Sequence, residues 1–256
     1  MKLTAAVVCP AEAGGNSMNQ SARRQILIRS LLNEKPEYQK IEIPHSSGEQ
    51  KKLLRSLMNI RLASTVSEEF QPIQDEYLQE ENRNRGIVDL SHLTPIENEI
   101  YLWRGDITRL ACGAIVNAAN SGMTGCYQPC HNCIDNCIHT YAGIQLRNYC
   151  SGLMEKQGHE EPTGTSKITP AFNLPCEYVI HTVGPIVWGK LTPLHCRQLA
   201  SCYRSCLEQA DQNPIHSIAF CCISTGVFMF PNKEAAEIAI QTVKDYKAKT
   251  GSKILF

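Results

Sequence analysis

The residues best equipped for chemistry sit together between Cys126 and Cys137, in the run Cys-Tyr-Gln-Pro-Cys-His-Asn-Cys-Ile-Asp-Asn-Cys. Zinc accepts thiolate and imidazole; structural sites use four protein ligands, whereas catalytic sites use three and keep one position open. Cys126, His131 and Cys133 offer two thiolates and one neutral imidazole, enough to cancel the charge of a zinc ion while leaving room for an oxygen. Cys130 as a fourth ligand would close the site. The four cysteines also fall at i, i+4, i+7 and i+11, one face of a helix, where they would be ordinary buried thiols. Gly122, Gly125 and Pro129 argue against a helix through 122–131. The metal reading is therefore favoured, with Cys137 assigned to the core face of the helix that follows. A thiol redox role is weaker: Cys130-x-x-Cys133 has the spacing but does not open a thioredoxin-like chain.

The remaining composition narrows the classes. Thirteen cysteines in 256 residues is an odd number, and four lie within 126–137, which suits a metal loop better than a disulfide framework. Lys+Arg and Asp+Glu are 25 each, so the chain lacks the basic excess that long polyanions require, and nucleic acid is excluded as the main partner. The apolar run after Met1 is about seven residues and stops at Pro10, short for a secretory leader. No apolar run approaches the roughly 20 residues that span a bilayer. The chain is read as cytoplasmic, with no membrane partner.

The elements that must position the cysteine loop follow from periodicity. Helices are expected from Ser21 to Asn33, Glu49 to Leu62 and Ser67 to Asn82, each with one apolar stripe. Residues 1–86 are read as an N-terminal helical extension, a structural cap with no site of its own, and residues 1–20 as weakly ordered. From 87 to 256 the pattern alternates. Strands are expected at Ile96–Trp103, Ala114–Asn117, Glu177–Val183 and Ser217–Ile223, with a last one at Lys253–Phe256. Helices are expected at 134–147, 193–209 and 233–249. Such alternation predicts an α/β domain with a largely parallel sheet covered on both faces. Ligands of these sheets bind beyond the carboxyl ends of the strands. Three such ends carry small or polar residues: Gly105-Asp106-Ile107-Thr108, Asn117-Ala118-Ala119-Asn120 and Ser224-Thr225-Gly226-Val227-Phe228. The backbone of the last could cradle a diphosphate. His181 and His216 are read as hydrogen-bonded strand residues, and Cys150, Cys196, Cys202 and Cys206 as core.

Taken with Val116-Asn117-Ala118-Ala119-Asn120 and Tyr178-Val179-Ile180-His181-Thr182-Val183-Gly184-Pro185, those motifs resemble the macrodomain, a family that binds ADP-ribose. The resemblance covers about residues 87–256, with the motifs in order. It implies a three-layer α/β/α fold with a mixed, largely parallel sheet. In place of a glycine-rich stretch before the helix stands the 125–136 cysteine loop. That loop and the helical extension are similar to the zinc-dependent macrodomains of bacterial operons that encode an ADP-ribosylating sirtuin. The resemblance implies a zinc enzyme that removes ADP-ribose from a lipoyl-carrier protein of the glycine-cleavage H type. It implies that Asp106 accepts from the adenine amino group beside Ile107. Asn120 would hold the distal ribose, the Ser224–Val227 backbone the pyrophosphate, and Phe228 would pack on that ribose. Cys126, His131 and Cys133 would hold Zn2+, and Ile134, Asp135 and Asn136 would line the same pocket at a helix start. Asp135, the carboxylate nearest the ligands in sequence, is the expected general base. The alternative is a non-catalytic ADP-ribose-binding module whose zinc is structural.

Overall fold

In a computed structural model of the chain, residues 18–256 are described. The expectations for Met1–Pro10 lie outside those residues. α1 (Gln20–Asn33) starts at Asn19, whose side chain accepts from Ala22 N, and α2 (Ser47–Ile60) starts at Ser46, which accepts from Glu49 N. α3 (Phe70–Asn84) completes the helical unit. Their apolar stripes meet in a core of Leu27, Ile28, Leu31, Leu54, Leu57, Phe70 and Leu78, which also takes in Ile144.

The rest of the chain runs β1 (Val88–Asp89), β2 (Pro95–Glu97), β3 (Ile100–Tyr101), β4 (Leu110–Ala111), β5 (Ala114–Ala119), α4 (Ile134–Ala142), α5 (Ile144–Gln157), β6 (Ser166–Pro170), β7 (Tyr178–Val183), α6 (Pro193–Gln212), β8 (Ile218–Ala219) and α7 (Asn232–Thr250). The main sheet has the order β6-β7-β5-β8. β7 and β8 run parallel to β5, and β6 runs antiparallel to β7, so the sheet is mixed. α6 and α7 close one face over Val116, Ile180, Leu199 and Leu207. α4 and α5 close the other over Ile115, Ile138, Leu146 and Val179. β5 is therefore buried on both sides, which is why Ala114-Ile115-Val116 reads as an unbroken apolar run.

Several expected boundaries move. The single helix over 134–147 is two helices, broken at Gly143, whose φ of 98° ends α4. The strand over 96–103 is a hairpin of β2 and β3, with Glu99 at φ 61° in its bend. The strand over 217–223 shrinks to Ile218–Ala219, because it pairs only with Ala114 and Ile115 at the start of β5. The closing strand appears as a bridge between Ser217 and Leu255, with Phe256 N donating to Glu99 O. β6, which has no apolar alternation to announce it, was not expected. No helix among the described residues is long and apolar enough to cross a membrane.

Candidate metal centre and ligand cleft

β5 delivers Asn117 and Asn120 to one end of the sheet, and residues 121–133 loop from there to α4. Asn120 shapes the loop. Its Oδ1 accepts from Gly122 N at 3.0 Å and its Nδ2 donates to Gly125 O at 3.1 Å. Gly125 has φ 87°, and a Cβ there would lie 2.8 Å from the His139 ring, so only glycine fits. The loop ends at Cys133, which caps α4 by accepting from Asn136 N at 3.4 Å.

One ligand atom each from Cys126, His131 and Cys133 lies within 4.8 Å of the other two, and Cys126 Sγ is 3.6 Å from His131 Nδ1. All three residues are half-buried. Burial pushes the Cys133 thiol up to about 12, with its neighbours Cys126 and Asp135 adding to the rise. A cation is what would favour its thiolate, so two sulfurs and one nitrogen at this spacing suit zinc. Cys130 turns elsewhere. At φ 52° its Sγ lies 3.2 Å from Ser56 Oγ, and its N–H donates to Asn59 Oδ1 at 2.9 Å.

Ser56 and Asn59 belong to α2, so the helical extension forms one wall of the loop. Arg55 Nη2 donates to His131 O at 2.8 Å and to Asn136 Oδ1 at 3.0 Å. Asn136 Nδ2 in turn donates to Cys126 O at 3.3 Å and Gln128 O at 2.9 Å. Arg147 on α5 donates to the carbonyls of Met58 and Asn59 at the end of α2, and through Nε to Thr124 O at 2.7 Å. Asn136 is fully buried, with its side-chain amide committed to these hydrogen bonds.

Asp135 lies in the first turn of α4 and is 5% exposed. Its Oδ1 accepts from Asn117 Nδ2 at 2.8 Å and its Oδ2 from Asn120 Nδ2 at 3.3 Å. Burial raises its acid to about 6, and the Asn117 hydrogen bond opposes that rise. Behind it, His139, Cys150 and His181 form a second, wholly buried group of possible ligands. Asn117 Nδ2 is 3.1 Å from His181 Nδ1, which makes that nitrogen the acceptor and puts the ring proton on Nε2, facing Thr169 Oγ1 at 3.0 Å. His181 is thus a hydrogen-bonded strand residue, as expected, whereas His216 is exposed.

A cavity of about 440 Å3 opens beside the loop. Asp106 and Ile107 wall it together with Trp103, Ile134, Cys137, Phe220 and Cys222. Cys137, expected in the core, is instead half-buried and walls this cavity, with Arg55 Nη2 3.6 Å from its Sγ. Cys126, His131, Cys133, Asn120 and Asp135 are not among its walls. Asp106 begins a short 3-10 turn and accepts from Thr108 N at 3.0 Å and Thr108 Oγ1 at 2.6 Å. The Ser224–Phe228 turn starts two residues past Cys222. Ser224 has φ 64°, and its Oγ is buried without a hydrogen-bond partner. Gly184, after β7, makes room for it: a Cβ there would fall 2.0 Å from Ser224 Oγ. Phe228 O accepts from Val187 N at 2.9 Å, which ties the turn to the loop after β7. Thr225 is half-buried, while Gly226 and Val227 are exposed. Sequence reasoning placed Asn117 in an informative strand end without giving it a role, and gave none to Arg55 or Arg147. The signal for a role at Asn117 is an amide inside an apolar strand; the two arginines carried none.

A family model described as "Macro domain" matches residues 116–239. The chain is 61% identical over 245 residues to a protein of Treponema medium named "Protein-ADP-ribose hydrolase", covering 93% of this chain and 94% of that one. It is 46% identical over 242 residues to a Staphylococcus aureus protein of the same name, covering 93% and 91%. Among solved structures, the Oceanobacillus iheyensis macrodomain with ADP matches with a TM-score of 0.54 and 39% identity, over 60% of this chain and 78% of that chain. With the family model matching the sheet that carries the cleft and the Treponema and Staphylococcus likenesses running over nearly the whole chain, the chain belongs to the Macro domain family.

Proposed function

We propose that this chain is a protein-ADP-ribose hydrolase: it binds ADP-ribose and cleaves the glycosidic bond that joins it to a modified protein. The names of the Treponema and Staphylococcus relatives support the activity, and the macrodomain solved with ADP supports the ligand. The observation that carries the catalytic reading is the three-ligand cluster, with Cys130 turned to Ser56, set in the same loop that Asn120 and Asp135 frame. Cys126, His131 and Cys133 would hold zinc. When bound there, zinc supplies Lewis-acid stabilisation of charge developing on oxygen as the glycosidic bond breaks.

The chain's own residues do the rest. Asp106 and Ile107 take the adenine, the Ser224–Val227 backbone takes the pyrophosphate, and Phe228 packs on the distal ribose. Ile134 lines the pocket at the start of α4, where the helix N-terminus favours phosphate. Asn120 holds a distal-ribose hydroxyl while donating to Asp135. Asp135 accepts the proton of the attacking water, and an acid near 6 suits a base working around neutral pH. The water oxygen bonds to the anomeric carbon as the side-chain bond breaks. The released side chain regains a proton from solvent.

The proposed substrate is a lipoyl-carrier protein of the glycine-cleavage H type, modified by a partner sirtuin-type ADP-ribosyltransferase in the cytoplasm. We place the macrodomain at residues 87–256 and the helical extension at 1–86. Release of ADP-ribose from a modified carrier protein tests the reading, together with zinc content, for the full chain and for Cys126→Ala and His131→Ala. Zinc and hydrolysis should be lost together. A protein that binds ADP-ribose, keeps zinc through four protein ligands and releases nothing would instead be a reader with a structural metal.

A further inference from the structure

Asp106 is not free in the cleft: Arg85, the residue that ends α3, pairs with it. The Arg85 guanidinium is fixed from several sides. It lies over the Tyr141 ring, 3.4 Å from the centroid, and donates to Asn82 Oδ1 at 3.0 Å and Thr108 Oγ1 at 2.8 Å. Thr108 occupies Oδ1 of Asp106 with its N–H and its hydroxyl, and Arg85 reaches Oδ2. The carboxylate is held at both oxygens, yet its side chain is still 42% exposed. An ionised carboxylate offers about four acceptor positions, so each oxygen can still accept.

We infer that Arg85 is a specificity-determining positioning residue for the nucleobase. This rests on the proposed reading that Asp106 receives the base. Two physical roles follow from the contacts. Anchored by Nη1 on Asn82 and by its plane on the Tyr141 ring, the guanidinium reaches Asp106 Oδ2 and Thr108 Oγ1 through the one nitrogen Nη2 and holds the carboxylate in one orientation, so its remaining acceptor capacity meets a base that presents an amino group, as adenine does. A base with a carbonyl at that position puts oxygen against oxygen and is rejected. Arg85 also stays paired with Asp106 after the base has displaced water, so binding does not bury an unpaired charge. The helical extension thereby reads the base, from a residue on the extension side of the 86/87 boundary.

Titration calorimetry on the zinc-loaded full chain tests this with two probes, ADP-ribose and its inosine analogue, in which a carbonyl replaces the adenine amino group. The unsubstituted chain should prefer ADP-ribose by at least about tenfold, the effect of one well-placed hydrogen bond. Arg85→Ala should weaken ADP-ribose binding about tenfold and bring the two affinities toward equality, with zinc content unchanged. Arg85→Lys keeps the charge but has one nitrogen where arginine anchors on Asn82 with Nη1 and holds Asp106 with Nη2, so it should fall between them, and it stands in if the alanine variant is unstable. An unchanged preference in both Arg85 variants would overturn the inference. Asp106→Ala separates the two ideas. If it leaves ADP-ribose affinity intact, the base-site reading itself fails; if it weakens binding while the Arg85 variants do not, only the role of Arg85 fails.

Discussion

Arg55, on the second helix of the extension, donates to the main-chain oxygen of His131 at 2.8 Å, 76 residues further along the chain. The same guanidinium nitrogen holds Asn136, whose amide grips the carbonyls of Cys126 and Gln128. One cation thus fixes the backbone on either side of the ligand cluster. Outer partners of metal ligands typically contribute 10- to 100-fold in metal affinity. Arg55→Ala should therefore weaken zinc binding by about that factor, measured by competition with a chelator. An unchanged affinity would make Arg55 a packing residue only.

Cys130 and Cys126 should behave differently despite being four residues apart. Cys130→Ser replaces a sulfur that faces Ser56, so zinc should stay stoichiometric. Cys126→Ser removes a sulfur 3.6 Å from His131 Nδ1 and should leave the protein largely zinc-free by elemental analysis. Equal loss in both variants would point to four ligands.

Asp135→Asn keeps the shape of the carboxylate but removes its basicity. General-base groups contribute about 10²- to 10⁴-fold. Single-turnover hydrolysis should fall into that range while ADP-ribose still binds. A loss below about tenfold would reassign Asp135 to holding Asn117 and Asn120 in place.

Gly184→Ala probes the turn. Its new Cβ would overlap Ser224 Oγ and approach Ile223 Cγ2 to 2.9 Å. Overpacking of this kind destabilises by about 1–3 kcal/mol. The melting temperature should drop, and ADP-ribose binding should weaken because the Ser224 backbone must move. A variant that melts lower yet binds normally would separate the turn from the pyrophosphate.

Glu161 couples the loop after β5 to pH. Its N–H donates to Ser121 O, and its buried carboxylate takes Lys167 at 3.0 Å and Gln157 at 3.0 Å. Burial alone would raise its acid, but hydrogen bonds from Thr165, Lys167 and Gln157 outweigh it and bring the group below its ordinary value. A depressed carboxylate stabilises the fold above its unfolded value of about 4.3, and that stability is lost as pH falls through the lower folded value. Urea midpoints should decline below about pH 4.3, and Glu161→Gln should flatten that decline while lowering stability at pH 7. Parallel pH curves for the two proteins would exclude the linkage.

What the chain declares by itself is local. Three side chains of metal-ligating type in eight residues, an apolar run ending in Asn117 and Asn120, and a small-residue turn at 224–228 are legible because ligand chemistry, strand burial and turn chemistry are written in neighbouring residues. The helices of the extension are legible for the same reason, since each shows one apolar stripe.

Tertiary structure decided which groups meet. Cys130 and Cys133 look alike in sequence; the positive φ at Cys130 and the surface of α2 sort them. Gly143 reads as one more helix residue in sequence; the structure gives it the positive φ that ends α4 and starts α5. Arg55 and Arg85 are unremarkable surface arginines in sequence, 76 and 21 residues from His131 and Asp106. They reach His131 and Asp106 only because the apolar stripes of α1, α2 and α3 bury against one another and against Ile144, and no local pattern encodes that docking.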